Sequence, residues 1–104
     1  KNRVDEIANE LNISGLLNIE IYKLSNGNQR KAGFAKSLLN DPEILIADEP
    51  DANIDNSTIE IFSDIFLKRS KKSKANLFTS HNELFFNKCS NRKLKLISGD
   101  ISEL

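Results

Sequence analysis

Ile44-Leu45-Ile46-Ala47-Asp48-Glu49-Pro50 decides the fold. Four apolar residues run into two adjacent carboxylates and a proline. A short Ile-rich run bounded by turn formers reads as a strand buried on both faces. Proline cannot donate to a strand ladder, so the strand ends before Pro50. Asp48 and Glu49 then stand at the carboxyl end of an interior strand, where open α/β sheets place their ligands. Neighbouring strand residues point to opposite faces, so the chain must bend there for both acids to serve one site.

Elements follow in both directions. After the polar loop Asp51–Asp55, the apolar residues Ile59, Ile61, Phe62, Ile65 and Phe66 recur at helical spacing, predicting a helix from about 56 to 68 capped by Asp55 or Asn56. Residues 75–79 read as a second strand, and strand-helix-strand implies a right-handed parallel βαβ unit. Ser80-His81-Asn82 leaves that strand and caps a short helix over 83–88. Residues 93–97 and 101–103, joined by Ser98-Gly99-Asp100, predict a terminal hairpin. Upstream, Ser25-Asn26-Gly27 opens a helix over 28–39 that stops at Asn40-Asp41-Pro42. Residues 3–11 form a shorter amphipathic helix, and 12–20 a connector.

Composition sets outer bounds. With 104 residues and 38% hydrophobic content, the chain is one domain or part of one. Fifteen basic residues balance fifteen acidic ones, so no overall field favours nucleic acid or an anionic membrane. The basic run Lys68, Arg69, Lys71, Lys72, Lys74 reads as a solvated helix end whose charges complement the dipole. The single Cys89 excludes an internal disulfide or a multi-cysteine metal cluster. No stretch is long enough for direct membrane insertion. No methionine occurs, so these residues are expected to belong to a longer or processed chain.

The chemistry-bearing residues divide naturally. Asp48 suits a hydrated Mg²⁺, a hard ion that takes oxygen ligands and keeps several waters. Glu49 suits orientation and deprotonation of a water. His81, beyond the neighbouring strand, lies within reach of the same crevice. The free amides and hydroxyl at Ser25-Asn26-Gly27 suit a phosphate.

Together these segments resemble the ATP-binding cassette family. Leu24-Ser25-Asn26-Gly27-Asn28 is similar to its LSGGQ signature, and residues 29–38 align without gaps to the signature helix. Ile44–Pro50 resembles Walker B with its glutamate, Asp51–Asp55 the D-loop, and Thr79-Ser80-His81-Asn82 the switch-histidine loop. The stretch from Leu94 through Gly99 to Ile101 is similar to the family's closing hairpin. The implied fold is α/β: a partial P-loop NTPase domain, with a mostly parallel sheet, flanking helices and a small C-terminal hairpin. Residues 1–40 would end the helical subdomain, and 41–104 would carry Walker B, the D-loop, the switch loop and the hairpin.

The resemblance implies an ATP-binding and ATP-hydrolysing transporter subunit of exporter or lipoprotein-release type, with ATP and Mg²⁺ as cofactors. Glu49 and His81 would be catalytic, with Asp48 holding Mg²⁺ through water. Ser25, Asn26, Gly27 and Asn28 would touch nucleotide bound to a second ATPase subunit, and Asp55 would steady the D-loop across that dimer. Membrane-spanning subunits would hold the protein on the cytoplasmic face, and no nucleic acid is expected. Asn26 and Asn28 depart from the signature, and Asp51 stands where Thr is frequent. No G-x-x-x-x-G-K-[ST] occurs, so the chain alone is expected neither to bind ATP tightly nor to hydrolyse it. Alternatives are a soluble ATPase of the translation-factor kind, a chromosome-maintenance head domain and a non-catalytic remnant. The first usually carries TNHLD after Walker B, and the second rarely has the proline.

Overall fold

The computed structural model describes residues 2–104. Helix α1 spans Arg3–Glu10 and α2 spans Asn26–Leu38; β1 is Ile44–Ala47, α3 is Asn56–Lys71 and β2 is Ala75–Phe78. Helix α4 covers Glu83–Cys89, and the hairpin strands are β3, Leu94–Ile97, and β4, Asp100–Glu103. Short 3₁₀ turns at Ser14–Leu16 and Ile21–Lys23 occupy the connector between α1 and α2.

The βαβ unit is present. Strands β1 and β2 pair directly and in parallel, with Ile44 opposite Ala75 and Ala47 opposite Phe78. Strands β3 and β4 form a separate antiparallel pair. Its link is the two-residue Ser98-Gly99, with Ser98 at φ 50° and Gly99 at φ 85°, a left-handed pair suited to a tight hairpin. Side-chain caps start the helices as the sequence requires. Ser25 Oγ accepts from the Asn28 N–H, Asp55 Oδ1 from the Thr58 N–H, and Asn82 Oδ1 from the Phe85 N–H.

The core lies between α3 and one face of the parallel pair. Leu45 points into it beside Phe34, Phe62, Ile65, Phe66 and Phe85. Phe66 stacks on Phe78 at 4.9 Å between ring centroids, and Phe34 meets Phe62 edge-on at 4.5 Å. Such geometry adds about 0.5–1.5 kcal/mol per pair beyond burial. Arg3 clips α1 to the end of α2 by donating to the Leu38 carbonyl at 3.0 Å.

Two expectations need correction. The strand at 44–47 is buried on one face, not both: Leu45 is 4% exposed, whereas Ile44 and Ile46 are 64% and 72% exposed. Within the described residues no second layer covers that face; helices cover the sheet on the α3 side alone. The basic run is also not uniformly solvated. Arg69 is 6% exposed. Its Nε donates to Asn76 Oδ1 at 2.7 Å, and its Nη2 to the carbonyls of Pro42 and Ala75. Arg69 thus stitches the end of α3 to the starts of both strands. Lys74 also leaves the solvated run, pairing with Glu43 at 2.9 Å and Asp41 at 3.7 Å.

Candidate active site at the carboxyl ends of the parallel strands

Strand β1 ends at Ala47, and the chain bends at once. Glu49 takes φ 47°, the left-handed region, and the Ala52 N–H closes a turn onto the Glu49 carbonyl at 3.1 Å. That conformation costs a non-glycine residue on the order of 1–3 kcal/mol, so surrounding contacts must hold it. Thr79, just past β2, supplies two. Its hydroxyl accepts from the Glu49 N–H at 2.9 Å and donates to Asp48 Oδ1 at 2.6 Å. A third comes from α2, where Arg30 Nη2 donates to the Glu49 carbonyl at 2.8 Å.

Past the bend the two acids separate: Glu49 lines the cleft at the strand ends, whereas Asp48 is held by Thr79 and is not among the residues that line it. Asp48 is exposed, and Thr79 engages only one of its carboxylate oxygens. Glu49 is half-exposed, and its Oε1 lies 3.7 Å from His81 Nε2. His81 itself stands almost free in solvent, at 90% side-chain exposure. Water therefore screens their attraction, and the pair's value is positional. Glu49, Asp51, Ala52, His81 and Asn82 line an open cleft of about 240 Å³.

Asp51 forms its floor. This carboxylate is buried and accepts from Ser80 Oγ at 2.7 Å, while Ser80 Oγ also accepts from the Asn82 N–H at 2.9 Å. The loop after β1 and the loop carrying His81 are thereby laced together. The roles of Thr79, Ser80, Asp51 and Arg30 here do not follow from local pattern. The one available signal was a run of hydroxyl residues, Thr79-Ser80, at a strand end facing acids.

The other site residues lie apart from this cluster. Ser25, Asn26, Gly27 and Asn28 form the start of α2, and no hydrogen bond or ion pair among the described residues links them to Asp48, Glu49 or His81. Asp55 caps α3. Hydrogen bonds from the Thr58 hydroxyl and backbone N–H hold its carboxyl below the usual range.

For a divalent ion the donor set is sparse. Among the described residues no three His, Cys, Asp or Glu side chains converge. A lone exposed carboxylate with an open oxygen fits Mg²⁺, which keeps its waters and relies on one or two carboxylates plus substrate phosphates. It does not fit an all-protein cage.

The family profile described as "ABC transporter" matches residues 1–52, half of the chain and all of it from α1 to the Glu49 turn. The chain belongs to the ABC transporter family. The lipoprotein-releasing system ATP-binding protein LolD of Aquifex aeolicus is 33% identical over 81 residues, 78% of this chain and 36% of that protein. The LolD of Ehrlichia chaffeensis is 35% identical over 83 residues, covering 79% and 35%. The dimeric structure of a bacterial ABC transporter cassette superposes with TM-score 0.86 at 23% identity, over 98% of this chain and 46% of that one. That likeness shows that the chain has the α/β fold of the corresponding part of such a cassette. The chain spans less than half the length of each of these ABC relatives.

Proposed function

We propose that this chain is the part of an ABC-type ATP-binding protein that activates water and completes a partner's nucleotide site. The observation that carries the reading is the bent end of β1, which presents Glu49 to His81 at 3.7 Å with Asp48 alongside. Glu49 orients and accepts a proton from the attacking water. His81 holds that water, and the phosphate it attacks, from the adjoining loop. Asp48 would hold hydrated Mg²⁺, which when bound offsets charge on the phosphate oxygens. The chain's own contribution is placement of these groups.

Ser25, Asn26, Gly27 and Asn28 would meet ATP held by a second ATPase subunit, using the free amides and dipole at the start of α2. Asp55 would steady the loop across that dimer. By likeness to the LolD proteins, the assembly would include membrane-spanning subunits and sit on the cytoplasmic face. The described residues contain no helix long and apolar enough to cross a membrane.

The test joins residues 1–104 to the preceding part of a LolD relative and measures ATP hydrolysis. Glu49→Gln keeps size and removes the base, so turnover should fall at least about 100-fold. An unchanged rate would refute the role of Glu49 and the reading with it. The 104-residue chain alone should show no micromolar ATP affinity by calorimetry.

A further inference from the structure

We propose that Arg30 is a positioning residue that makes the signature helix and the Glu49 turn move as one body. The inference rests on the function proposed above for Glu49, but its physical basis is independent of it. Both peptide groups of Glu49 are held. The N–H is bound by Thr79, just past β2, whereas the carbonyl accepts from the Ala52 N–H within the turn and from Arg30, which comes from a different layer. Among the described residues this is the one side-chain hydrogen bond running from α2 to the turn at 48–52.

Its location matters. Arg30 lies five residues beyond Ser25, about 7.5 Å along the helix axis at the usual rise. The same short helix segment therefore carries, at its start, the groups offered to one nucleotide. One and a half turns later it carries the clamp on the turn serving another. Of the α2 cations described, only Arg30 makes a directed bond to the left-handed residue.

That bond is charge-assisted and its acceptor is a main-chain carbonyl, so it fixes backbone rather than side-chain geometry. Glu49 at φ 47° has a relaxed alternative, and a turn released from one of its clamps samples it more often. Any displacement of the start of α2 by a bound partner is then passed through Arg30 to the carbonyl of Glu49. The coupling is a contact between two named elements rather than an inferred pathway.

Amide exchange tests this without any catalytic readout, in the 104-residue chain and again in the polypeptide joined to the LolD part. Arg30→Met keeps the aliphatic stem and removes the donor. Exchange across residues 48–52 should accelerate about three- to tenfold, the loss of one partly exposed hydrogen bond. Amides within α2 and α3 should keep their rates. Arg30→Lys, which restores one donor, should recover part of the protection. Unchanged exchange at 48–52 would overturn the proposal. Equal acceleration throughout α2 would also overturn it, by reducing Arg30 to a general helix stabiliser. In the joined polypeptide, kcat should fall in Arg30→Met with KM for ATP unchanged, while a rise in KM at constant kcat would contradict the positioning role. If Glu49→Gln leaves hydrolysis intact, the catalytic reading fails, yet the exchange result still decides whether Arg30 clamps the turn.

Discussion

Arg69→Met should be among the most damaging substitutions in this chain, although sequence places the residue in a lysine-rich, solvent-seeking run. The side chain is 6% exposed and donates to Asn76 Oδ1, the Pro42 carbonyl and the Ala75 carbonyl at 2.7–3.2 Å. Asn76 Nδ2 in turn donates to the Phe66 carbonyl at 3.0 Å, so the network returns to α3. Methionine fills most of the stem volume, which isolates the loss of the guanidinium. A hydrogen bond to a charged group contributes roughly 1.5–3 kcal/mol, and an acceptor left unpaired in the interior costs about 1–3 kcal/mol. Opposing this, burial disfavours the charge and pulls the Arg69 pKa down against the help of Asp41 and Glu43, and Nη1 finds no partner among the described residues. The net loss should be about 2–4 kcal/mol, since removing one member of a buried polar network leaves the others stranded. For a domain of this size that lowers Tm by about 10–25 °C. Urea denaturation followed by circular dichroism measures it, with Asn76→Ala and the double variant closing a cycle. A loss below about 0.5 kcal/mol, the range of ordinary surface changes, would refute the assignment of Arg69 as the stitch between α3 and the strands.

Two further outcomes follow from titratable groups. Burial pushes the Cys89 thiol up to about 11, and its Sγ donates to the Phe85 carbonyl at 3.2 Å. At pH 8 roughly a thousandth of the folded thiol is thiolate, so a disulfide reagent should label Cys89 only at the rate of unfolding, and fast labelling in native buffer would contradict its burial. The raised pKa also means that its contribution to stability is complete below the unfolded value of 9.0 and declines as pH rises toward 11. Asp55 has the opposite sign. Its depressed pKa contributes stability above the unfolded value of 3.8, lost as pH falls through the folded value. Asp55→Asn retains a capping oxygen but not the charge, so the variant should be less stable than the parent near pH 7 and lose less stability on acidification to pH 3. Identical acid branches in urea melts would remove Asp55 from the account.

The order of elements was legible because each is signalled locally. Ile59, Phe62, Ile65 and Phe66 fall on one side of a helix, and Ser25, Asp55 and Asn82 are capping residues by chemistry, whatever surrounds them. A bend after β1 was expected if both acids were to serve one site, and the chain does turn there, at the positive φ of Glu49. The contacts that hold the bend were not legible. Thr79 reaches Asp48 across 31 positions, Ser80 reaches Asp51 across 29 and Arg30 reaches Glu49 across 19. No periodicity encodes such pairings, and a hydroxyl or guanidinium has the same local propensity with or without its distant partner. Arg69 was misread for a related reason. A basic residue in the last turn of a helix satisfies the dipole equally well in water or buried, and only the position of Asn76 on the adjoining strand selects burial.

The apolar residues on the open face of the sheet separate stability from site geometry. Ile46 and Leu77 are opposite each other in the register of β1 and β2, and both are more than half exposed, with Ile44 beside them. Parallel strands normally carry cover on both faces, so this stripe leaves part of the hydrophobic stabilisation unrealised in the described residues. The carboxyl end of β1 does not depend on it. Ala47 is fixed by the Thr79 N–H donating to its carbonyl at 3.1 Å, Asp48 by the Thr79 hydroxyl, and Glu49 by Thr79 and Arg30. Pro50 and Asp51 are buried. Every contact that orients the acids therefore comes from residues between 30 and 82. Cover laid over Ile44, Ile46 and Leu77 would raise the free energy of unfolding while leaving the spacing of Asp48, Glu49 and His81 where these short-range clamps set it.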